Sequence, residues 1–490
     1  MNLPFLHLSL NMHPDQISLV MGAFAIFMTL CSALYAYGYG ALAKKSQARC
    51  FWMGLWSFGV FSFLTVLAAD WFSLIIFLEL CSISLFLMIL AGDVKTAVMY
   101  LLTQFAGAGS LLIGVSILIR DSGTIALGPV CPSAFPFFLV GLGLKAALPV
   151  MHFWLPRTHS MAPTPASVLL SGFAVKMGVY GLIRLSSEST APLFLYLGLT
   201  MAIYGVIQAL LQHDMKRLLA FHTFSQLGFV MSALGSGTEA GIMAALFYSL
   251  AHGIFKGLLF CSAGVMEKKY DTRDLGLLGR GIRKDPVTFA LFLVGALAIT
   301  GFPGTSGFLA KSLVKETLKE GHHVLAIQAL FLAGIGTALS FSKMAFYGFM
   351  KTRPFSGKDM EKEERPREMK YCHAAMLILA LGTLALGILP FSLPRSFPMD
   401  TRIWLSWGNL LSALSPIAAG ILFFTFLPGL FRPLSIDVPD LYWLFSQLER
   451  PFNLLSSILQ QYHNGRLPRY LKFLLAAILI IFLLLIRSDQ

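Results

Sequence analysis

The segment from Phe137 to Arg184 places two lysines inside stretches that are otherwise apolar enough to span a membrane. Lys145 lies in FFLVGLGLKAAL, and Lys176 lies in SVLLSGFAVKMGVYGLIR. Between them come four prolines and two histidines: Pro149, Pro156, Pro163, Pro165, His152 and His159. A continuous spanning helix with this many prolines would lose backbone hydrogen bonds that lipid cannot replace. The segment therefore predicts a helix that breaks at membrane depth, followed by a second helix.

The two lysines predict an ion path. A lysine at the centre of a spanning helix costs ~2.5–3.5 kcal/mol on insertion scales, so it usually faces a cavity or a partner. The rest of the chain is consistent with a membrane setting: of 490 residues, 56% are hydrophobic and 12% are charged. Soluble proteins carry about twice that charged fraction. We therefore predict an all-α integral membrane protein.

The apolar pattern predicts about fourteen transmembrane helices, two of them discontinuous. The predicted spans are 17–39, 50–69, 71–91, 96–119, a broken helix from 134, 166–185, 192–212, 218–234, 240–266, a broken helix from 286, 324–350, 374–391, 410–427 and 470–486. The second break is GFPGTSGF, residues 301–308, which precedes Lys311. Because the two broken helices are five crossings apart, we predict two five-helix repeats that are inverted in the membrane.

Basic residues concentrate in alternate loops, which predicts the orientation. With the N-terminus outside, the loops on the cytoplasmic side are 40–50, 92–95, 152–165, 213–217, 267–285, 351–373 and 428–469. The net charge of +13 then reflects orientation in a cell (inner) membrane rather than binding to nucleic acid. The predicted parts are N-terminal helices (1–70), a translocating core (71–351), C-terminal helices (352–434), and an amphipathic interfacial helix with a final span (435–490).

Ionisable residues inside the predicted spans are the candidate functional residues: Glu79, Lys145, Lys176, His252, Lys256 and Lys311. Burial and a neighbouring carboxylate shift the proton affinity of a lysine in opposite directions, so such a lysine can load and release a proton. The alternatives are a packing ion pair for Glu79, lysines that reach the interface, and a hydrogen-bonded core histidine for His252. His222 and Lys343 are weaker candidates, and the break histidines, His152 and His159, are expected to bind backbone groups.

The sequence contains no motif for a bound cofactor. No HExxH, P-loop, GxGxxG or iron–sulfur cysteine run occurs, and the six cysteines form no CxxC pair. We therefore expect no nucleotide, flavin, quinone or metal site in this chain, and no redox reaction catalysed by it alone.

Four segments resemble the antiporter-like subunits of the superfamily of complex I, Mrp antiporters and energy-converting membrane-bound hydrogenases. They are LKAALPVMHFWLPRTHSMAPTPASVLLSGFAVKMGVYGLIR, HDMKRLLAFHTFSQLGFV, LAHGIFKGLLF and GFPGTSGFLAK. The resemblance implies that Glu79 pairs with Lys145, that Lys176 connects onward, that His252 and Lys256 continue the axis, and that Lys311 ends it. It differs in one place: family members often carry Ser-His-Met-Gly where this chain has Ser225-Gln226-Leu227-Gly228.

The resemblance also implies partners and a function. The chain would be the proton-translocating subunit of a redox-driven complex, of the NADH:quinone oxidoreductase or membrane-bound hydrogenase kind. Its partners would be other antiporter-like membrane subunits and peripheral redox subunits that hold Fe–S clusters, flavin or Ni–Fe. Two alternatives are an Mrp-type Na⁺/H⁺ antiporter subunit without redox coupling and a structural anchor whose relay is inactive.

Overall fold

The computed structural model describes residues 2–3, 8–9, 11–40, 45–279, 281–351, 366–388 and 406–433. All of them belong to one packed unit, Met1–Val438. The predicted amphipathic helix at 440–462 and the final span at 470–486 lie outside the described residues, as does most of the predicted loop 351–373.

The described residues are almost entirely helical. The helices are α1 (Gln16–Tyr39), α2 (Lys45–Leu67), α3 (Trp71–Ile89), α4 (Val94–Ser122), α5 (Phe135–Ala146), α6 (Trp154–Met161), α7 (Thr164–Leu169), α8 (Val175–Leu185), α9 (Ala191–Leu211), α10 (Met215–Leu234), α11 (Glu239–Tyr270), α12 (Gly281–Lys284), α13 (Pro286–Thr300), α14 (Ser306–Glu320), α15 (Val324–Ala345), α16 (Pro366–Ile388) and α17 (Trp407–Phe426). Two π-helical segments, Leu170–Ala174 and Phe346–Met350, and a 3₁₀ turn, Glu188–Thr190, complete them. A hairpin of two-residue strands, β1 (Asn2–Leu3) and β2 (Leu8–Ser9), lies near the N-terminus.

The helices are long and apolar enough for a membrane protein. Within the described residues, 10 helical segments have the length and hydropathy of a span, and α5 and α13 are shorter apolar helices. This confirms the prediction of an all-α integral membrane protein.

Aspartates begin several of the helices. Asp15, Asp70, Asp93, Asp214 and Asp285 each precede a helix and accept a hydrogen bond from the backbone N–H three residues later. Such a side chain satisfies an N–H group that has no partner inside the helix. These caps therefore fix where the spans begin.

The first broken helix consists of α5 and α6. After α5, Ala147 and Val150 adopt left-handed backbone conformations, with φ of 56° and 69°. Trp154 Nε1 then donates to the Leu144 carbonyl at 3.0 Å and ties α6 back to α5. The prediction of a loop over 152–165 is therefore wrong in part, because Trp154–Met161 form a helix in which His159 is 0% exposed.

The segment that follows this break is the centre of the protein. From Thr164 to Leu185 the chain is one continuous helical rod, made of α7, the π segment and α8, and it is buried throughout. Gly178 lets α8 touch α5, since a Cβ there would lie 2.5 Å from the backbone nitrogen of Ala146. The lysine-bearing helices of the first break are thus in backbone contact.

The second broken helix consists of α13 and α14. Gly301 ends α13 with φ of 89°, and Gly304 follows with φ of 84°. Thr305 then caps α14 by accepting from Phe308 N. The interruption lies within the predicted stretch 301–308.

Candidate functional site

Glu79 and Lys145 form an ion pair between α3 and α5. The Lys145 side chain is 4% exposed and that of Glu79 is 17% exposed. Lys145 Nζ also donates to Ser82 Oγ at 2.9 Å. Ser82 lies one turn beyond Glu79, so both acceptors stand on one face of α3. The pair keeps a buried ammonium compensated, as low-dielectric surroundings require.

The space next to this pair is small. A cavity of about 10 Å³ lies beside Lys145 and is lined by Tyr100, Gln104 and Trp154, among others. A cavity needs at least ~10–15 Å³ to hold one water molecule, so this one has room for a single water at most. Among the described residues, Glu79 Oε2 has no protein hydrogen-bond partner.

The π segment, Leu170–Ala174, positions Lys176. Within it, the Val175 N–H bonds to the Leu170 carbonyl rather than to the Ser171 carbonyl, which an α-helix would use. The Ser171 carbonyl is therefore available, and Lys176 Nζ donates to it. Without the extra residue of the π segment, this carbonyl would be occupied inside the helix.

Hydrogen bonds continue from Lys176 to Lys256. Ser171 Oγ lies 2.8 Å from Thr223 Oγ1 on α10, and Thr223 Oγ1 donates to the Leu219 carbonyl at 3.1 Å. Lys256 Nζ, on α11, donates to the same carbonyl at 2.5 Å. The structure thus brings Lys176 and Lys256 onto one buried hydrogen-bonded chain that we call the central polar chain: Lys176, Ser171, Thr223, Leu219 and Lys256.

His252 lies one turn before Lys256 and is fully buried. Within the described residues, neither of its ring nitrogens has a hydrogen-bond partner. Its nearest aromatic neighbour is Phe255, at 5.4 Å between ring centroids. His252 therefore shares the face of Lys256 but does not join the central polar chain.

Lys311 lies at the second break and has a different environment. Its ammonium donates to the carbonyls of Ile299 and Thr300, at 2.8 and 3.1 Å, which end α13. It also lies 5.2 Å from the centre of the Phe229 ring. A largely apolar cavity of about 590 Å³ adjoins it. Among the described residues, no carboxylate lies within ion-pair distance of Lys311.

Gln226 lies on α10, one turn after Thr223 of the central polar chain and one turn before Phe229. Its Oε1 accepts from Tyr248 OH at 2.7 Å, and Tyr248 stacks on Phe229 at 5.7 Å. Phe229 in turn contacts Lys311. The described residues form no unbroken hydrogen-bonded path between Lys256 and Lys311, nor between Lys145 and Lys176.

The weaker candidates are also buried. Within the described part of the chain, both ring nitrogens of His222 and of His159 have no hydrogen-bond partner. The expectation that His159 binds backbone groups through its ring is therefore not met. Lys343 Nζ donates to the carbonyls of Leu210 and Gln212, at 2.7 and 2.8 Å, and so closes the end of α9.

Sequence reasoning missed one ion pair. Lys216 was predicted to lie in the polar loop 213–217, yet it is 2% exposed and binds Glu267 at 2.6 Å. Both residues look like ordinary ends of spans in the sequence. The available signal was the acidic residue at the end of α11, across from the basic start of α10.

The sequence matches the family described as NADH:quinone oxidoreductase/Mrp antiporter, transmembrane, over residues 68–340. The chain belongs to this family. It is therefore an antiporter-like membrane subunit, and the sequence-based recognition is confirmed.

Relatives and a solved structure agree with this assignment. The chain is 30% identical to "Hydrogenase-4 component B" of Escherichia coli (strain K12), over 91% of this chain and 73% of the relative. It is 34% identical to "NAD(P)H-quinone oxidoreductase chain 4 1" of Synechococcus sp. (strain JA-3-3Ab), over 55% of this chain and 53% of the relative. The chain thus spans only about half the length of that relative.

The fold is similar to that of a chain in the membrane-bound sulfane sulfur reductase, an archaeal respiratory membrane complex. The TM-score is 0.78 at 21% identity, over 98% of this chain and 91% of the other. At that identity, the similarity concerns the fold alone.

Proposed function

We propose that this chain translocates protons across the membrane as a subunit of a redox-driven complex, of the NADH:quinone oxidoreductase or membrane-bound hydrogenase kind. The observation that carries the proposal is the central polar chain. In it Lys176 and Lys256 bind the carbonyls of Ser171 and Leu219, and the hydroxyls of Ser171 and Thr223 lie between these carbonyls at fully buried positions. Intramembrane ionisable residues that face a bundle interior mark ion pathways.

The carbonyls and hydroxyls of this chain have different roles. The carbonyls of Ser171 and Leu219 hold the two ammonium groups but cannot carry a proton onward. The hydroxyls of Ser171 and Thr223 can both donate and accept, so they can pass a proton by reorienting. Because Thr223 and Lys256 share one carbonyl acceptor, a small movement of the ammonium brings it to the hydroxyl.

The Glu79–Lys145 pair would control when the chain moves a proton. Lys176 and Lys256 have carbonyl partners and, among the described residues, no carboxylate within ion-pair distance. Two uncompensated ammonium groups in a low-dielectric interior repel one another. The charge state of one lysine is therefore coupled to that of the other, and opening or closing of the Glu79–Lys145 pair would shift both. In this proposal Lys311 is the terminal group, and His252 contributes to the path beside Lys256.

The finer architecture is part of the proposal. We infer about fourteen transmembrane helices and two inverted five-helix repeats, with α5–α6 and α13–α14 as the matching broken helices. Their support is that a lysine adjoins each interruption: the buried Lys145 precedes the first, and the partly buried Lys311 follows the second. We also infer that residues 71–351 form the translocating core, between helices at 1–70 and 352–434 and an interfacial helix with a final span at 435–490.

The proposed setting is a cell (inner) membrane with the N-terminus outside, as the distribution of basic loops indicates. We propose that other antiporter-like subunits and peripheral redox subunits are the partners. Fe–S clusters, flavin or Ni–Fe would then reside in those partners and none in this chain.

An Mrp-type Na⁺/H⁺ antiporter subunit is the second candidate function. The observation that favours it is that the matching family covers both kinds of subunit. Sodium-dependent proton movement without an electron donor, in the complex purified with all its subunits, would support this candidate over the redox-driven pump.

The test of the proposed function is Lys176→Ala in the complete complex. Proton movement is recorded with a pH-sensitive dye in membrane vesicles while the complex turns over, and we expect it to be lost. Lys343→Met is the matched control. Lys343 is also a buried lysine bound to carbonyls, but these carbonyls lie at the end of α9 and outside the central polar chain. If Lys176→Ala transports as well as the native complex, the lysines are packing groups and the proposal is wrong.

A further inference from the structure

A charged cavity opens on one face of the protein, where α6 and α11 end and α10 begins. It has a volume of about 460 Å³, and six of its lining residues are Ser160, His213, Asp214, Glu267, Arg273 and Asp274. Arg273 binds Asp214 at 3.0 Å, and His213 lies 3.4 Å from Asp274. All of these side chains are partly exposed. We call this water-accessible cavity the vestibule.

Glu267 lines the vestibule and forms an ion pair with Lys216. The Glu267 side chain is 25% exposed, whereas that of Lys216 is 2% exposed. The pair therefore has one end in contact with water and the other inside the protein. Thr164 Oγ1 and Tyr39 OH each donate toward Glu267 Oε2 at 3.4 Å, from two other helices.

The helix that carries His159 ends next to Lys216. Lys216 Nζ donates to the Ala162 carbonyl at 3.3 Å, directly after α6, the helix that carries His159. The ring of His159 is stacked on the ring of Phe260, with 4.6 Å between the ring centres. Lys256 Nζ lies 5.4 Å from the centre of the Phe260 ring.

We propose that the vestibule is the aqueous proton port of the relay, with Glu267 and Lys216 as its gate and His159 as the inward acceptor. This inference deepens the proposed function and rests on it. The chemistry suits the position: a carboxylate at the water boundary can take a proton from solvent, and an imidazole without hydrogen-bond partners in the described structure can accept one from a buried neighbour.

The proton transfer from water to His159 balances without any other reactant. A proton from water binds the Glu267 carboxylate, and the neutral acid no longer holds the Lys216 ammonium. Lys216 transfers its proton to His159 and becomes a neutral amine, which then takes the proton from Glu267. Glu267 and Lys216 are restored as an ion pair, and one proton has moved from water to His159. From there it passes to Lys256 and the central polar chain.

A purely structural role is the competing explanation, because the same pair joins α10 to α11. The test therefore needs a measurement that a purely structural ion pair would not affect. Glu267→Ala is compared with Glu267→Asp in the complete complex, and proton movement is recorded in vesicles with and without added formate. Formate is small enough for the vestibule and can replace the missing carboxylate.

A matched control exists at another ion pair. Arg184 binds Asp15 at 2.6 Å, which is a pair of similar geometry that does not line the vestibule. Asp15→Ala removes its acidic partner in the same way. Because this change can lower stability without closing a proton path, the amount of assembled complex is measured for every variant.

We expect Glu267→Ala to slow proton movement at least ~10-fold, since removing a positioned proton-transfer group commonly costs ~10²–10⁴-fold. Formate should restore much of the rate in Glu267→Ala and none in Lys176→Ala, and Glu267→Asp, which keeps a carboxylate, should lose less of the rate than Glu267→Ala. An unchanged rate in Glu267→Ala, or a loss that formate leaves unaltered, overturns the port. The two proposals fail separately: a fully active Lys176→Ala contradicts the relay, whereas an inactive Lys176→Ala beside a fully active Glu267→Ala contradicts the port alone.

Discussion

The two broken helices carry the same side chain and compensate it in opposite ways. In the first, the Lys145 ammonium binds the Glu79 carboxylate on another helix. In the second, the Lys311 ammonium binds the carbonyls of Ile299 and Thr300, which end the helix immediately before it. A helix C-terminus carries a partial negative charge, so it can stabilise a nearby cation without a counter-ion. The first lysine thus depends on tertiary structure and the second on local chemistry.

The backbones of the two breaks follow the same division. The first break uses Ala147 and Val150 in left-handed conformations, which cost a residue with a Cβ ~1–2 kcal/mol. The second uses Gly301 and Gly304, for which that conformation is not strained. The difference indicates that packing around α5 and α6 imposes the first break, whereas the residues of the second break favour it by themselves.

The largest effect is expected at the Glu79–Lys145 pair. Glu79→Gln leaves a buried ammonium without its counter-charge, and removing one partner of such a pair costs ~3–5 kcal/mol. We expect a loss of that size in the free energy of unfolding, together with loss of proton movement. Thermal unfolding of the purified protein measures the first, and dye-based transport measures the second.

Lys311→Gln sharpens the comparison. It leaves carbonyl acceptors and, among the described residues, no unpaired charge, so the expected cost is only ~1–3 kcal/mol. The double substitution Glu79→Gln/Lys145→Gln should recover much of the stability that Glu79→Gln loses, but not transport. Equal costs for Glu79→Gln and Lys311→Gln would show that the two lysines are compensated alike, against the comparison.

A smaller effect is expected at Gly178. A Cβ there would lie 2.5 Å from the Ala146 nitrogen and 2.7 Å from the carbonyl carbon of Lys145, so Gly178→Ala pushes α8 away from α5. Overpacking of this kind costs ~1–3 kcal/mol. Gly109→Ala on α4 is the control, because nothing lies within 4 Å of a Cβ at that position. Thermal unfolding should separate the two variants; a Gly178→Ala protein as stable as Gly109→Ala would refute the close contact.

A still smaller and pH-dependent effect is expected at Asp285. Asp285 caps the second broken helix, whereas Ala134, at the start of the first broken helix, makes no side-chain cap. Burial alone would raise the pKa of Asp285, but the His373 ring 3.6 Å away and two hydrogen bonds from Thr288 lower it to about 2. Since the folded protein holds this carboxylate ionised, its contribution is present above about pH 4 and disappears as the pH falls toward 2. Asp285→Ala should cost ~1 kcal/mol at neutral pH.

The pH profile of unfolding checks this interpretation. Asp285→Asn keeps a capping side chain without the charge, so it should retain most of the neutral-pH stability and lose the acid-dependent part near pH 2–4. An acid profile that is identical in the native protein and in Asp285→Asn would mean that another carboxylate is responsible.

The smallest effect, and the only gain, is expected from Val150→Gly. The change removes a left-handed conformation that costs ~1–2 kcal/mol, partly offset by the ~0.5–1 kcal/mol that glycine costs through the unfolded chain. The Val150 side chain is 64% exposed, so little burial is lost. We expect a gain of ~0–1.5 kcal/mol in thermal unfolding. A clear loss would show that the break is favoured locally after all.

The sequence predicted those features that depend on neighbouring residues. Span α1 was expected at 17–39 and runs from Gln16 to Tyr39, because apolar length and an aspartate before it define both ends. The second break was expected at 301–308 and lies there, since its glycines and proline are local signals. The six candidate site residues were chosen by one rule, a charge or a histidine within an apolar span, and all lie within the described helices.

The features that were missed depend on residues far apart in the sequence. Lys216 stands in the run His213-Asp214-Met215-Lys216-Arg217, which reads as an exposed polar turn until Glu267 is placed beside it. His159 was assigned to a loop because prolines surround it, yet packing makes that loop a buried helix. The π segment at Leu170–Ala174 has no local signal of its own, because its extra residue is stabilised by what surrounds it.

The extra residue of the π segment sets the direction in which every side chain of α8 points around the helix axis. One residue of an α-helix corresponds to about 100° of rotation, and the π segment inserts one residue between α7 and α8. If the segment relaxed to regular helix, Lys176 would turn by about that angle relative to Ser171, whose carbonyl it now binds. The direction of the Lys176 side chain therefore depends on the one-residue difference in register between α7 and α8. A shift of one residue would be enough to break the contact between Lys176 and the Ser171 carbonyl.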